Sequence, residues 1–230
     1  LLVRISEFAF HVSKETPMHY TRLIPLSVLL ACLFVATPAL SPGQDKDDKI
    51  TCRIIYVPTP QPVVDKMLDM AKVTQSDVVF DLGCGDGRIV ATAAKKHGAR
   101  GVGVDIDPDR MKDCKATLEK MGATKIKAET DAKGITKLTA EFEFKGKPVA
   151  VEYRRGDALK VSDLDKATVI QLYMLPEFME KLEPQALKKL PKGARIVAHD
   201  YAFPTWKQDS LVEFQGPDRT HTLYMWTKKD

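Results

Sequence analysis

Residues 81–88 read Asp-Leu-Gly-Cys-Gly-Asp-Gly-Arg, with glycine at every second position directly after the apolar run Val78-Val79-Phe80. Glycine lets a backbone turn sharply and lets a ligand approach it with no Cβ in the way. An alanine-rich stretch at helical spacing follows, 89–97, and Gly98 suits its C-terminal cap. Strand, glycine turn and helix together open an α/β unit, and ligands of open α/β sheets bind beyond the carboxyl ends of the strands. This segment therefore constrains the fold and the site at once.

The rest of the chain continues the alternation. Residues 54–60 predict a short extended stretch stopped by prolines, and 63–71 a helix. A second strand at 101–105 leads to a helix at 108–121, with Pro108 in its first turn and Gly122 after it. Residues 123–147 break the repeat. Glu141-Phe142-Glu143-Phe144 alternates and can turn at 145–147, which predicts a β-hairpin insertion running into a third strand at 148–153. Strands follow at 168–172 and 194–198, with a helix at 177–190 between them that Pro184 should kink or divide. Two last strands, 211–214 and 221–227, flank a Gly216-Pro217-Asp218 turn and must be antiparallel. The expected fold class is α/β, a doubly wound, mostly parallel seven-stranded sheet with an antiparallel C-terminal edge strand.

Asp105 ends the second strand about twenty residues beyond the glycine turn, where a carboxylate can accept both ribose hydroxyls of a nucleoside. A nicotinamide dinucleotide could use the same geometry, but its pyrophosphate needs a free helix N-terminus, usually after GxGxxG. Here the spacing is GxGxG, with Asp81 ahead of it and Asp86 inside it. Two carboxylates repel a phosphate and suit a ligand carrying a sulfonium and an ammonium group. The acidic turn thus favours S-adenosylmethionine (AdoMet), with a dinucleotide or a ligand-free turn as the alternatives.

Residues 81–87 resemble motif I of the class I AdoMet-dependent methyltransferases, which have a Rossmann-like fold, and residues 103–107 resemble their motif II. Arg155-Gly156-Asp157-Ala158 is similar to the motif whose acidic side chain meets the adenine amino group. The resemblance implies that Gly83, Gly85 and Gly87 approach the methionine portion and that Asp105 holds the ribose. It also implies that Ile106 packs on adenine and that Asp157 and Ala158 border it. Asp157 could equally be a turn or cap residue, and Asp107 reads as a helix cap before Pro108. Residues 56–60 (Tyr-Val-Pro-Thr-Pro), 172–176 (Leu-Tyr-Met-Leu-Pro) and His199-Asp200 with Trp206 resemble one branch of this family. That branch holds the lysine methyltransferases of the ATP synthase c subunit and of the adenine nucleotide translocase, with many bacterial relatives. The likeness adds Tyr56 and Thr59 to the cofactor site and implies a protein lysine as acceptor.

Methyl transfer from a sulfonium is an in-line displacement, so the chain must align the reacting atoms, and a lysine acceptor must lose a proton. Tyr173, Pro176, Glu177, His199 and Asp200, on the loops after the fourth and fifth strands, are the candidates at the transfer site. Tyr173 could instead be a packed aromatic and His199 a structural hydrogen-bonding group. The Asn/Asp-Pro-Pro-Tyr pattern of methyltransferases acting on nucleic-acid and glutamine amino groups is absent, and 171–176 read Gln-Leu-Tyr-Met-Leu-Pro instead. A small molecule or lipid acceptor, or an AdoMet-binding module without catalysis, are the alternatives.

Composition narrows the partners. With 35 basic against 31 acidic side chains the net charge is +4, and basic residues form scattered pairs such as Lys95-Lys96, so no nucleic-acid partner is expected. The four cysteines show no CxxC pair and the five histidines no metal spacing, so no metal is expected. Residues 1–49 read as a leader and 50–230 as the methyltransferase domain. Residues 23–40 are almost wholly apolar after His19 and Arg22, and a charged stretch follows at 44–49. This fits a cleaved secretory signal, an uncleaved membrane anchor or, at Leu29-Leu30-Ala31-Cys32, a loose lipoprotein box. Met18 is the expected start. The domain is accordingly expected to be exported or membrane-anchored, and an uncleaved anchor could leave it facing the cytosol, where AdoMet is made.

Overall fold

The computed structural model describes residues 56–229. The leader, the rest of the segment up to residue 55, and Asp230 lie outside the described residues. The elements in chain order are α1 (Gln61–Met70), β1 (Val78–Leu82), α2 (Arg88–Thr92) with a π-helical continuation (Ala93–His97), β2 (Arg100–Asp105) and α3 (Pro108–Lys120). A three-stranded meander follows, β3 (Thr124–Asp131), β4 (Gly134–Phe144) and β5 (Lys147–Arg155), and then two 3-10 turns (Ala158–Lys160, Leu164–Lys166). The chain closes with β6 (Val169–Leu172), α4 (Pro176–Lys189), β7 (Arg195–His199), β8 (Ser210–Gln215) and β9 (Thr220–Thr227).

All nine strands among the described residues join one sheet in the order β3-β4-β5-β2-β1-β6-β7-β9-β8. The middle five, β5-β2-β1-β6-β7, are parallel. The expected seven-stranded sheet is present, and the insertion adds two more strands at its β5 edge. The hairpin read at 141–153 forms, with Phe144 opposite Lys147. The C-terminal pair departs from the expectation of an antiparallel edge strand at the end of the chain. The strand that runs against the parallel set, β9, lies between β7 and β8, so β8 is the edge. Pro184 interrupts no element, and α4 runs through it as one helix.

Helices cover both faces of the sheet. On one, α4 sets Met179, Leu182 and Ala186 against Phe80, Leu82, Ile170, Leu172, Ile196 and Ala198. On the other, α1 packs Val63, Val64, Met67 and Leu68 on Val79, Val169, Val197 and Leu223. Farther along that face, Val90 and Ala94 join α3 residues Met111, Cys114 and Leu118 over Leu138, Phe142, Val151 and Tyr153. Odd and even strand positions thus feed opposite cores, as the period of two requires.

Buried Asp77, just before β1, clamps the amino end of the sheet. Its carboxylate accepts hydrogen bonds from Thr74 N (2.8 Å), Thr168 Oγ1 (2.7 Å) and the Arg195 guanidinium. Arg195 also donates to the Ala71 carbonyl (2.5 Å), which ties the end of α1 to β7. Burial raises the Asp77 pKa, but the bonds from Thr168, Thr74 and Arg195 outweigh it and hold it below the ordinary carboxylate value. A depressed folded-state pKa contributes stability above the unfolded value, about 3.9, and loses it as pH falls through the folded one. Asp77→Ala is expected to lower the unfolding free energy by about 3 kcal/mol in neutral denaturant titrations. The deficit should shrink as pH falls from about 4, the unfolded value, through the lower folded one.

Candidate active site

The carboxyl ends of β1, β2, β6 and β7 bring the candidate residues together. After Leu82 the N–H groups of Gly83 and Cys84 donate to the Val104 carbonyl (2.8 and 3.0 Å), which turns the chain across the end of β2. Gly85 has φ +53°. A Cβ on it would stand 2.2 Å from Cε2 of Tyr56. The glycine is therefore required by close approach as much as by the turn, because the ring of Tyr56 lies on bare backbone. The Arg110 guanidinium sits 4.6 Å from the centroid of the same ring. The loop is braced from the sheet side by Tyr153, whose hydroxyl donates to the Gly87 carbonyl (2.9 Å), and by Cys114, whose thiol donates to that of Gly85 (3.2 Å).

The carboxylates divide by role. Asp105 accepts from Gly85 N (2.9 Å) through Oδ2 and from Asp107 N (3.0 Å) through Oδ1. Each oxygen keeps a second lone-pair direction, so the group is held rigidly with two acceptors for a diol. Asp81 is 2 % exposed. Its Oδ2 has no hydrogen-bond partner among the described residues. Burial, then repulsion from Asp105 and Asp86, pushes its pKa well above the ordinary value. A buried acceptor of this kind is satisfied by a donor or a cation brought by a ligand. Asp86, expected beside Asp81 as a second free carboxylate, is instead paired with Arg88 (2.5 Å), which also donates to the Thr59 carbonyl (3.1 Å). The acidic side chains left to a ligand are therefore Asp81 and Asp105. These residues fit AdoMet: a diol acceptor in Asp105 and a buried, unpartnered carboxyl oxygen in Asp81.

Known proteins with similar sequences and folds point the same way. A family described as the ANTKMT methyltransferase domain matches residues 116–210, and a general methyltransferase domain family matches 79–145. A protein-lysine N-methyltransferase of Saccharolobus islandicus is 35% identical over 172 residues, 74% of this chain and 91% of its own. The chain belongs to the AdoMet-dependent methyltransferases. A lysine N-methyltransferase of the ATP synthase c subunit from Xenopus laevis is 28% identical over 84% of this chain and 71% of its own. The crystal structure of a protein described as an RNA methyltransferase from Salinibacter ruber, in complex with S-adenosyl-L-homocysteine, superposes with a TM-score of 0.60. It is 38% identical and covers 76% of this chain and 95% of that one. The cofactor of this methyltransferase is AdoMet.

The other expected residues lie as follows. Ile106 is 67% exposed at the end of β2, an uncovered apolar side chain beside Asp105. Asp157 caps the first 3-10 turn, accepting from Leu159 N (2.9 Å), with Lys160 3.5 Å from its other oxygen, and Ala158 begins that turn. Asp107 caps α3 through Asp109 N (2.8 Å). Pro176 and Glu177 open α4 on the exposed surface.

Tyr173, His199 and Asp200 converge. The rings of Tyr173 and His199 are 3.9 Å apart, and Tyr201 lies 6.3 Å from Tyr173, nearly parallel to it. Buried His199 meets Thr59 Oγ1 through Nδ1 (3.2 Å) and His221 Nδ1 through Nε2 (2.8 Å). Burial, aided by nearby His221 and Arg219 and opposed by Asp200, pulls its pKa down to about 4, so the ring is neutral near pH 7. Asp200 adopts φ +62°. Its carboxylate accepts from the Arg219 guanidinium and from Thr222 N (3.1 Å). Burial raises its pKa, but these bonds prevail and keep it anionic. Polar atoms of His199, Asp200 and His221 fall within 4.8 Å of one another. Each is already bonded to protein, including His221 Nε2 to Asp218 (2.9 Å).

Sequence reasoning did not find Tyr153, Met174, His221, Arg219 or Gln171. Met174 Sδ lies where a Cβ on Gly83 would stand, 2.2 Å from that position. Gln171 is fully buried with both amide atoms unpartnered among the described residues. It stands beside Asp81 in register on the next strand. The alternation in β9 carried the one legible signal, since His221 shares the inward face of Leu223 and Met225.

Proposed function

We propose that this methyltransferase acts on the ε-amino group of protein lysines. The observation that carries the reading is the wall at the ends of β6 and β7. There, Tyr173 and Tyr201 present near-parallel rings beside the Asp200–Arg219 ion pair, with a neutral histidine behind Tyr173. Aromatic faces attract an ammonium group. The names of the Saccharolobus and Xenopus relatives support the same acceptor.

AdoMet, when bound, supplies a methyl group already activated on sulfur. The chain has to hold the nucleoside, which Asp105 and the glycine loop do, and to orient the acceptor amine in line with the methyl. Tyr56, folded over Gly85, shields the loop from water. Tyr173→Ala is expected to lower kcat by about 30-fold, equivalent to roughly 2 kcal/mol of orientation and cation–π attraction. AdoMet affinity, read by calorimetry, should stay within about twofold because Tyr173 belongs to the acceptor side.

The test is incubation of the full chain with methyl-labelled AdoMet, cell membranes, soluble protein and total RNA in separate arms. Label recovered as methyl-lysine after protein digestion supports the reading. Label confined to RNA, as the description of the Salinibacter protein would have it, or to the organic extract, overturns it. AdoMet binding without turnover on any fraction would mark a non-catalytic module. Residues 23–40 support a further part of the proposal, attachment at a membrane through this apolar run. No helix among the described residues is long and apolar enough to cross one. Protease protection of fractionated cells reads the side on which the domain lies, and a wholly soluble, unprocessed full-length chain would contradict attachment.

A further inference from the structure

Gln171 on β6 is fully buried, and neither its amide nitrogen nor its amide oxygen has a partner among the described residues. Oδ2 of Asp81 on β1 is in the same condition. The two residues stand in register on adjacent parallel strands. Each lies two positions after a valine of the core under α1, Val169 and Val79, so both side chains leave the same face of the sheet. Their outer neighbours along that row are Gly103 on β2 and Val197 on β7, which bring no polar side-chain atom. Buried polar atoms are almost always hydrogen-bonded, so this group of three asks for a partner from outside the chain. A carboxylate oxygen accepts, whereas the amide accepts through Oε1 and donates through Nε2. The matching ligand therefore carries a cationic donor and an anionic acceptor close together.

We propose that Gln171 is a specificity-determining residue for the cofactor, which together with Asp81 binds the α-ammonium and α-carboxylate at the methionine end of AdoMet. Asp81 and the Gln171 carbonyl accept from the ammonium, and the Gln171 amide N–H donates to the carboxylate. The sequence motifs assign Gln171 no such part. Strand order says why the amino-acid end is the portion met here. Asp105, the diol acceptor, ends β2, and the next strand across the sheet is β1, followed by β6. A nucleoside whose ribose lies on β2 thus directs its other substituent over β1 and β6. A sulfonium has no N–H to give, so it cannot satisfy these atoms. Glutamine also fits where an acid would not, because a second carboxylate beside Asp81 would repel the α-carboxylate. The way in is covered by a flexible side chain: Met174 lies on Gly83, two residues beyond Asp81, and an unbranched thioether can turn aside.

The experiment uses the full chain and three thioethers that share the adenosine: S-adenosylhomocysteine, its decarboxylated analogue and 5′-methylthioadenosine. The last has no amino-acid end. Affinities are read by calorimetry, with the weaker ligands measured in competition, and no turnover is needed. In Gln171→Leu, which keeps the bulk and removes the amide, the preference for S-adenosylhomocysteine over methylthioadenosine is expected to fall about 30-fold, as bonds to charged groups are lost. Affinity for methylthioadenosine itself should stay within about twofold. Because both ligands carry the ribose, the ratio does not depend on how the ribose is held. Gln171→Glu is expected to weaken S-adenosylhomocysteine about 100-fold, by a lost bond and like-charge repulsion. The decarboxylated analogue should then bind at least as well as it does to wild type. A Gln171→Leu preference within threefold of wild type would overturn the proposal and leave the amide a structural group bonded through buried water. A wild-type measurement covers variants that fail to fold. The Gln171 side-chain amide resonances should move on adding S-adenosylhomocysteine and stay in place with methylthioadenosine. The same movement with both ligands, or none with either, contradicts the assignment.

Discussion

Asp105→Ala is expected to weaken AdoMet binding by about 100-fold or more while leaving the chain folded. The carboxylate is fixed by two backbone N–H groups, at 2.9 and 3.0 Å, so its remaining lone pairs meet an incoming diol without reorganisation. Hydrogen bonds to a charged group contribute about 1.5–3 kcal/mol each, and losing two of them amounts to at least about two factors of ten. The substitution also frees the Gly85 N–H, so part of the loss comes through a looser loop. Isothermal calorimetry on the variant, with circular dichroism to confirm folding, reads the effect. Affinity within threefold of wild type would show that the ribose is held elsewhere.

Gly87→Ala should have the largest effect on stability. Gly87 has φ +76°, a conformation that costs an L-residue about 1–2 kcal/mol. Its added Cβ would also lie 2.4 Å from Cε1 of Tyr153. That ring cannot swing aside, because it is fully buried in the core under α3 and its hydroxyl is bonded to the Gly87 carbonyl. Overpacking of a filled core costs about a further 1–3 kcal/mol. Together these give a loss of about 2–5 kcal/mol, or a fall in Tm of roughly 4–20 °C for a domain of this size. Thermal unfolding with and without AdoMet tests it. An unchanged Tm would mean that the loop has slack that the close packing of Tyr153 denies.

Most of the fold was legible because its signals are local. The parallel core strands and the helices between them fall within about two residues of the positions that apolar period and caps imply. β3 escaped because it is an edge strand whose side chains are almost all exposed, Thr124-Lys125-Ile126-Lys127-Ala128-Glu129-Thr130-Asp131, with no apolar face to alternate. The placement of β9 inside the sheet was out of reach for another reason. A hairpin requires only that its two strands be antiparallel, and which of them docks on β7 is decided by packing far away in sequence.

The site divides along the same line. The glycine turn and Asp105 could be read because backbone chemistry restricts which residues can stand there. Asp86 misled, since its pairing with Arg88 depends on a side-chain rotamer two residues away that no spacing rule fixes. Tyr56 and Thr59 entered through family resemblance alone, and only the folded chain shows Tyr56 on Gly85 and Thr59 on His199, 140 positions apart. Contacts over that separation have no local sequence signature.

Parallel calorimetric titrations of the purified wild-type chain with AdoMet and with NADH bear most directly on the acidic, Cβ-free loop as a cationic-nucleoside site. Saturable uptake of one AdoMet per chain, with no heat from NADH, is the predicted result. Retention of NADH with no uptake of AdoMet would contradict the account at its root.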